Sequence, residues 1–589
     1  MHTASVFVLG LLGSLALAVR PLSSNQLASK GTTPALPLGL WKEAKRRQRL
    51  DNGARVARST GQAGQIPFLG SLKQTATHQE HFFDQLVSHD PHIAPTTPGE
   101  TWQQRYWFDA TFYKPGGPVF LLDAGETDGE GRLPFLSQGI LRILSEATGG
   151  LGIVFEHRYY GKSFPVANLT TDSLRFLTTR QSLDDGAHFA RNVVLPGLEH
   201  VDIQAPGSTP WIYYGGSYAG AKAALARKLF PDVFAGGIAS SAVTAAIEDY
   251  WQYYEPIRQN GPPECIDRLV NHTSLIDSLL AYQQPALTTA LKGYFGLGNV
   301  TSDADFVNAL AIPLGFWQAR NWDHSVGSTR FFEFCDALAA NASLAHISDL
   351  FQPAQLAVLP SLPQDPRTAL ARFAAYASYI REHIAILCPP DTAQDHCFGT
   401  DQYSGDELDD YEWKSWAYQV CTEWGYFIGA PPDREHPSLV SRLLTTDYTS
   451  KICRKAFMPG ELNSVPARPN VTVINQYGAF NFSYPRLAFI DGSEDPWIYA
   501  TPHSPLAPHH GQRRSTTSEP FLLIKGGAHH WDENGRPTRP EPEEIQRVHR
   551  EEVEFVRVWL EEWREEQRER ERKRKGRWRW GEKESARWA

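Results

Sequence analysis

The hexapeptide Gly215-Gly216-Ser217-Tyr218-Ala219-Gly220 is the strongest chemical signal in the chain. It follows an apolar, aromatic run, Trp211-Ile212-Tyr213-Tyr214, and precedes a helix-forming stretch over residues 221–229. Gly-x-Ser-x-Gly between strand and helix suits a serine nucleophile for a steric reason. The turn is sharp and strained, and glycines two before and two after the serine let strand and helix approach closely. Ser217 Oγ is then presented above the sheet, and the backbone N–H of Tyr218 faces the oxyanion that develops on an attacked carbonyl.

A serine needs a base, and the base needs an orienting acid. After the apolar run Leu487-Ala488-Phe489-Ile490 comes Asp491-Gly492-Ser493-Glu494-Asp495-Pro496-Trp497. After Phe521-Leu522-Leu523-Ile524 comes Lys525-Gly526-Gly527-Ala528-His529-His530. Serine, then acid, then histidine is the chain order of α/β-hydrolases. Asp495 is the preferred acid, with Asp491 and Glu494 as alternatives, and His529 is preferred over His530 as base. The second oxyanion donor is expected from the loop Gly125-Glu126-Thr127-Asp128-Gly129, with the Glu126 N–H as the choice. Gly161-Lys162-Ser163 resembles the end of a phosphate-binding loop, but the earlier position that requires glycine is Glu156. No His-Glu-x-x-His or EF-hand pattern occurs, so neither a metal nor a cofactor is expected.

Short apolar runs must position these residues. Pro118-Val119-Phe120-Leu121-Leu122 and Gly152-Ile153-Val154-Phe155 join the three above. Each is four or five residues, rich in β-branched and aromatic types and bounded by turn residues. Helix-compatible stretches such as residues 182–194 separate them, which implies an α/β fold with a mainly parallel sheet covered on both faces. Residues 246–455 differ: long helix-compatible stretches (274–291, 366–387) and all six cysteines read as a large helical cap inserted into an α/β-hydrolase domain of residues 75–245 and 456–560. Ile545, Val548, Val553, Val556 and Leu560 fall on one helical face and read as the last packed helix. Residues 561–589, almost wholly Arg, Lys, Glu and Trp, read as a solvated charged tail.

The 589 residues carry a net charge of −9 and are 41% apolar and 21% charged. This fits a globular protein and argues against a nucleic-acid partner. Residues 6–18 are small and apolar and end in Ala16-Leu17-Ala18, so residues 1–18 read as a signal peptide. No later stretch is long and apolar enough for stable membrane insertion. Residues 19–74 read as a linker or propeptide. Lys45-Arg46-Arg47 there offers a dibasic cleavage site, with a solvated charge run as the plainer reading. Asn168, Asn271, Asn299, Asn341, Asn470 and Asn481 begin N-glycosylation sequons. Cys265, Cys335, Cys388, Cys397, Cys421 and Cys453 lack CxxC spacing and read as three disulfides of an oxidising compartment. Connectivity is open; proximity favours 265–335, 388–397 and 421–453. The destination is extracellular, or a lysosome or vacuole reached through the secretory pathway.

The chain resembles the S28 serine peptidases, the family of lysosomal Pro-X carboxypeptidase, dipeptidyl peptidase II and secreted fungal relatives. The resemblance rests on Phe83-Asp84-Gln85-Leu86 with His89, Thr101-Trp102 through Gln104-Arg105-Tyr106, Glu156-His157-Arg158-Tyr159-Tyr160-Gly161, Gly215 to Gly220, Trp416 to Glu423, Asp495-Pro496-Trp497 and Gly527-Ala528-His529-His530. It implies a Ser217–Asp495–His529 triad beneath a helical cap, peptide substrates cleaved next to proline, often at acidic pH, and Trp497 as a wall of the proline pocket. Carboxypeptidase, dipeptidyl aminopeptidase and endopeptidase modes stay open, as does a homodimer. An esterase or a catalytically silent binding scaffold are the readings outside peptidases. Two departures stand out. Gly125-Glu126-Thr127-Asp128 replaces a Gly-Asn-Glu-Gly-like loop, and Lys162 replaces a more usual acidic residue.

Overall fold

The structure is a computed structural model and describes residues 78–93, 99–207, 209–340, 366–401, 403, 405–535 and 540–585. The expected signal peptide, the 19–74 segment and the Asn341 sequon lie outside the described residues.

Eight strands form one sheet: β1 (His81–Leu86), β2 (Thr101–Asp109), β3 (Val119–Asp123), β4 (Leu151–Phe155), β5 (Trp211–Gly216), β6 (Phe234–Ser240), β9 (Leu487–Gly492) and β10 (Phe521–Ile524). Their order is β1-β2-β4-β3-β5-β6-β9-β10. From β4 to β10 every pairing is parallel, while β1–β2 and β2–β4 are antiparallel. Two short strands, β7 (Ile247–Asp249) and β8 (Gly425–Phe427), pair separately, in parallel.

The two-residue period sorts the sheet into two cores. Leu121, Ile153, Tyr213, Ala239 and Phe489 point to one face, packed by the helices Thr179–Asn192 and Tyr218–Leu229. Phe120, Leu122, Val154, Tyr214, Ile238 and Ile490 point to the other. There they meet the helix Ile140–Thr148 and Ile545, Val548, Val556 and Leu560 of the helix Glu543–Ser585. The helix therefore runs unbroken from the packed face into the charged tail. This is the doubly covered, mainly parallel sheet of an α/β-hydrolase.

Between β7 and β9 the chain is mostly helical, around a third core that includes Phe295, Phe306, Trp317, Phe331, Phe373 and Tyr376. The single helix expected over 274–291 is two, Pro263–Ala281 and Pro285–Tyr294. Pro285 is the cause: it disfavours helical backbone at Gln284, which sits at φ −94°, ψ 111°. The cysteines join as Cys265–Cys335, Cys388–Cys397 and Cys421–Cys453, each with the next cysteine along the chain. Of the described sequons, Asn168, Asn299, Asn470 and Asn481 are exposed and Asn271 is half-buried.

The Cys265–Cys335 bond closes a 70-residue separation and links the helices Pro263–Ala281 and Arg330–Ala339. Closing so long a loop restricts the unfolded chain strongly. Replacing both cysteines by alanine is expected to lower stability by about 2–5 kcal/mol. Thermal unfolding followed by circular dichroism measures it, and an unchanged midpoint would contradict it.

Candidate active site

Every candidate residue lies just beyond the C-terminal end of a parallel strand: Glu126 after β3, Ser217 after β5, Asp495 after β9 and His529 after β10. The strand order reverses between β3 and β5, and open α/β sheets bind ligands in the crevice at such a reversal.

Ser217 sits at φ 58°, ψ −121° between β5 and the helix Tyr218–Leu229. Its neighbours explain why that conformation persists. A Cβ on Gly215 would collide with the Ala219 carbonyl, and one on Gly220 would come within 2.6 Å of the Ser240 carbonyl. The Ser217 N–H donates to the Ser240 carbonyl at 2.9 Å, tying the turn to β6. Tyr218 opens the helix with its side chain fully buried and its hydroxyl 3.0 Å from His157 Nε2. Burial pushes His157 down to about 3, so it is a neutral hydrogen-bonding partner.

His529 Nδ1 is 2.7 Å from Asp495 Oδ2. A carboxylate only accepts, so the Nδ1 proton makes this bond. Nε2 is buried and has no hydrogen-bond partner. Asp495 is fully buried; burial pushes its pKa up, but the His529 charge and hydrogen bonds from His529, the Trp497 amide and Ser241 pull it below the ordinary value. The other two acids have different partners. Asp491 pairs with His503 at 2.6 Å and Glu494 with Arg320 at 2.8 Å.

His530 lies 3.8 Å from the His529 ring, centre to centre. Its backbone N–H donates to Ser241 Oγ at 3.1 Å, and its ring approaches the position of a Gly216 Cβ at 3.2 Å. The paired histidines thus sit against the Ser217 turn. Burial, with the His529 charge, lowers His530 to about 4. Trp497 is 3% exposed and stacks on Tyr250 at 5.1 Å, with Tyr253 and Tyr426 edge-on. Lys162 pairs with Glu80 at 2.8 Å.

Sequence reasoning missed several supporting residues. Ser241, at φ 44°, bonds both Asp495 and the His530 amide, and nothing in its local sequence marks it. Behind the histidines lies a buried polar layer. Arg132 reaches Glu533 at 3.8 Å. Asp532 accepts from Tyr214 and Ser240, each at 2.6 Å, and the Asp532 carbonyl lies 2.8 Å from His549 Nε2. Asp532 and Glu533 follow His529 by three and four residues, a spacing that could have flagged them.

With this geometry in view, the comparisons place the chain. The family model of serine carboxypeptidase S28 matches residues 94–319 and 364–553. The chain is 39% identical over 491 residues to a probable extracellular serine carboxypeptidase of Arthroderma benhamiae, covering 81% of this chain and 66% of that relative's length. It is 30% identical over 473 residues to serine protease vicPa of Bipolaris victoriae, covering 76% and 83%. It is 27% identical over 475 residues to the human thymus-specific serine protease, covering 78% and 82%.

The buried layer carries a pH signature. Burial, reinforced by Glu533, raises Asp532 to about 6, above its ordinary value of 3.8. A folded-state pKa above the unfolded one favours folding in acid: the contribution is complete below about 4 and is lost as pH rises through about 6. Asp532→Asn should remove that loss. Relative to wild type, the variant should gain stability between pH 4 and 7, on the order of 3 kcal/mol. Urea unfolding at several pH values measures the difference; a difference independent of pH would contradict it. On matched residues, relatives and geometry together, the chain belongs to the serine carboxypeptidase S28 family.

Proposed function

We propose that the protein is a secreted serine-type peptidase of carboxypeptidase type, acting through Ser217, His529 and Asp495. The observation that carries this reading is the His529–Asp495 hydrogen bond, with His529 Nε2 buried and without a hydrogen-bond partner and the adjoining His530 ring packed against Gly216. Ser217 Oγ attacks the scissile carbonyl while Nε2 takes its proton. Asp495 holds the ring and stabilises the imidazolium. The Tyr218 N–H, with a second donor from the Glu126 loop, receives the oxyanion. His529 then protonates the departing amine, and water hydrolyses the acyl-enzyme by the reverse sequence.

Export is supported by the sequons, the three disulfides and the extracellular carboxypeptidase among the relatives. Preference for a peptide bond beside proline is the finer proposal. Trp497, within its aromatic cluster, offers the flat apolar surface that a pyrrolidine ring fits.

Three proline-containing peptides test the mode at pH 4 to 7: one blocked at the N-terminus, one at the C-terminus, one at both. A carboxypeptidase cleaves only the peptide with a free C-terminus. Cleavage that needs a free N-terminus instead identifies a dipeptidyl aminopeptidase, and cleavage of the doubly blocked peptide an endopeptidase. Ser217→Ala and His529→Ala should each lower kcat by about 10⁴-fold or more, with folding retained. Wild-type turnover by Ser217→Ala would overturn the assignment.

A further inference from the structure

Asn271 differs from the other described sequons. Asn168, Asn299, Asn470 and Asn481 are exposed, whereas Asn271 is half-buried and lies inside a helix, Pro263–Ala281. Glu264, Asp267, Arg268 and Asn271 recur there at helical spacing and share one face. The apolar face, with Leu269, Ile276 and Leu280, is buried in the core of the helical region. The polar face meets more than open solvent: it forms one wall of a cleft of about 640 Å³. Arg258 from the helix Glu255–Asn260, Arg372 from the helix Pro366–His383, and Pro437 contribute the facing walls.

These walls are tied to one another. Arg258 pairs with Glu255 at 2.7 Å, and His436 Nε2 lies 2.8 Å from the same carboxylate, which fixes the chain next to Pro437. Thr273, the hydroxyl residue of the Asn271-His272-Thr273 sequon, is buried and donates through Oγ1 to the Leu439 carbonyl at 3.2 Å. The His272 ring stacks on Tyr376 and meets Phe373 edge-on, which sets the helix bearing Arg372 against the helix bearing Asn271. Arg268 is held by Glu264 at 2.5 Å, one turn before it. The lining also narrows the occupant. Three arginines and two carboxylates line the cleft, and Glu255 behind Arg258 makes the count even. Balanced charge gives no net field to draw in an anion or a cation. What the lining offers is hydrogen-bond donors and acceptors beside the apolar Val270 and Pro437. A neutral polyhydroxyl ligand with apolar C–H faces fits it, and the volume falls in the range of about 300–1,000 Å³ that encloses a small ligand. Asn271, in the wall, is a residue to which such a ligand is attached.

We propose that the N-glycan on Asn271 folds back into this cleft, with its first N-acetylglucosamine residues seated between the helix Pro263–Ala281, Arg258 and Arg372. The sugar is then a strut of the helical region rather than a surface decoration. The inference rests on export of the protein through the secretory pathway. In the transfer, the bond from Asn271 Nδ2 to C1 of the first N-acetylglucosamine forms as the bond from C1 to the pyrophosphate of a lipid-linked donor breaks. The pyrophosphate leaves with the electron pair, and the amide gives up one proton. Once the chain folds, the Thr273 hydroxyl bonds Leu439 and so closes the Pro437 wall beside the attached sugar.

The test is site-resolved release of glycans from the full-length protein secreted by a eukaryotic host. A peptide-N-glycosidase acts on the native protein for a timed interval and leaves aspartate where it has acted, which mass spectrometry reads peptide by peptide. Glycans at whichever of Asn168, Asn299, Asn470 and Asn481 are occupied should be released first. Asn271 should be released at least about tenfold more slowly, as a group reached only when the cleft opens. After denaturation the rates should converge. Asp267→Ala with Arg268→Ala should keep Asn271 glycosylated and remove the protection. Protection that survives in this variant means that the helix alone shields the linkage, and overturns the seat. If the double variant is not secreted, Asp267→Ala alone, at an exposed position, must speed release. Asn271→Gln should also lower the thermal midpoint by about 2 °C or more, while Asn299→Gln leaves it unchanged. Release of Asn271 at the rate of the exposed sites, or a bare Asn271 in protein whose other sequons carry sugar, overturns the proposal. Protein bare at every sequon would instead sink the export reading, so the two failures are distinguishable.

Discussion

The turn at Ser217 is the constraint on which the rest of the structure depends. A non-glycine residue at φ 58°, ψ −121° is strained by roughly 1–3 kcal/mol and persists only where its surroundings over-determine it. Here they do. Gly215 and Gly220 let β5, the helix Tyr218–Leu229 and β6 approach without side chains between them. On the third side the Glu533 carboxylate and the His530 ring crowd the Cα of Gly216. Any side chain at 215, 216 or 220 would push one of these elements away. The same contacts that impose the strain bring the histidine loop to the serine.

The electrostatics follow from that crowding. Bringing the C-terminal ends of β3, β5, β9 and β10 together buries Glu126, Asp495, Asp532, Glu533 and, further back, Glu552. So many carboxyls in one dry region cannot all be ionised without partners. The structure answers in two ways. Asp495 and Glu533 gain histidine or arginine partners and are held below their ordinary values. Asp532 and Glu552 are pushed up, and Glu552 has neither oxygen hydrogen-bonded. The two raised carboxyls favour the fold in acid, while the lowered carboxyls and the neutral buried histidines favour it at higher pH. That balance comes from buried groups rather than from the surface.

Much of this was legible in the sequence because strong local rules governed it. Ser217 was marked by glycine spacing, and the strands bearing Asp495 and His529 by short apolar runs ending in turns. The helical break at Pro285 was equally local, yet the apolar periodicity across 274–291 hid it. What stayed hidden was set by tertiary neighbours. β6, with its Phe-Ala-Gly-Gly-Ile-Ala-Ser sequence, has too little bulk to announce a strand, but two glycines there admit Trp559 on one face and Arg227 on the other. Ser241 carries no motif; its role comes from lying between β6 and the loops after β9 and β10. Choosing Asp495 over Asp491 and Glu494 by sequence alone was a matter of position. In the structure it is a matter of partners, since His503 and Arg320 occupy the other two.

The helical region is tied to the loops after β9 and β10. Residues 317–322 reach both loops that carry Asp495 and His529. Trp317 Nε1 donates to the Glu494 carbonyl at 2.7 Å, and Arg320 pairs with the Glu494 side chain. Gln318 accepts from Trp497 at 3.0 Å, the Trp322 indole donates to the Trp531 carbonyl at 2.8 Å, and the Trp531 indole donates to the Arg320 carbonyl at 2.9 Å. Each bond contributes only about 1 kcal/mol, but together they fix two loops relative to each other from above while the sheet fixes them from below. The Asp495–His529 hydrogen bond, made between loops from adjacent strands, is therefore held in register by residues from the helical insertion. On this geometry one short segment of the helical region, with Trp317, Arg320 and Trp322 as anchors, aligns the loops that carry Asp495 and His529.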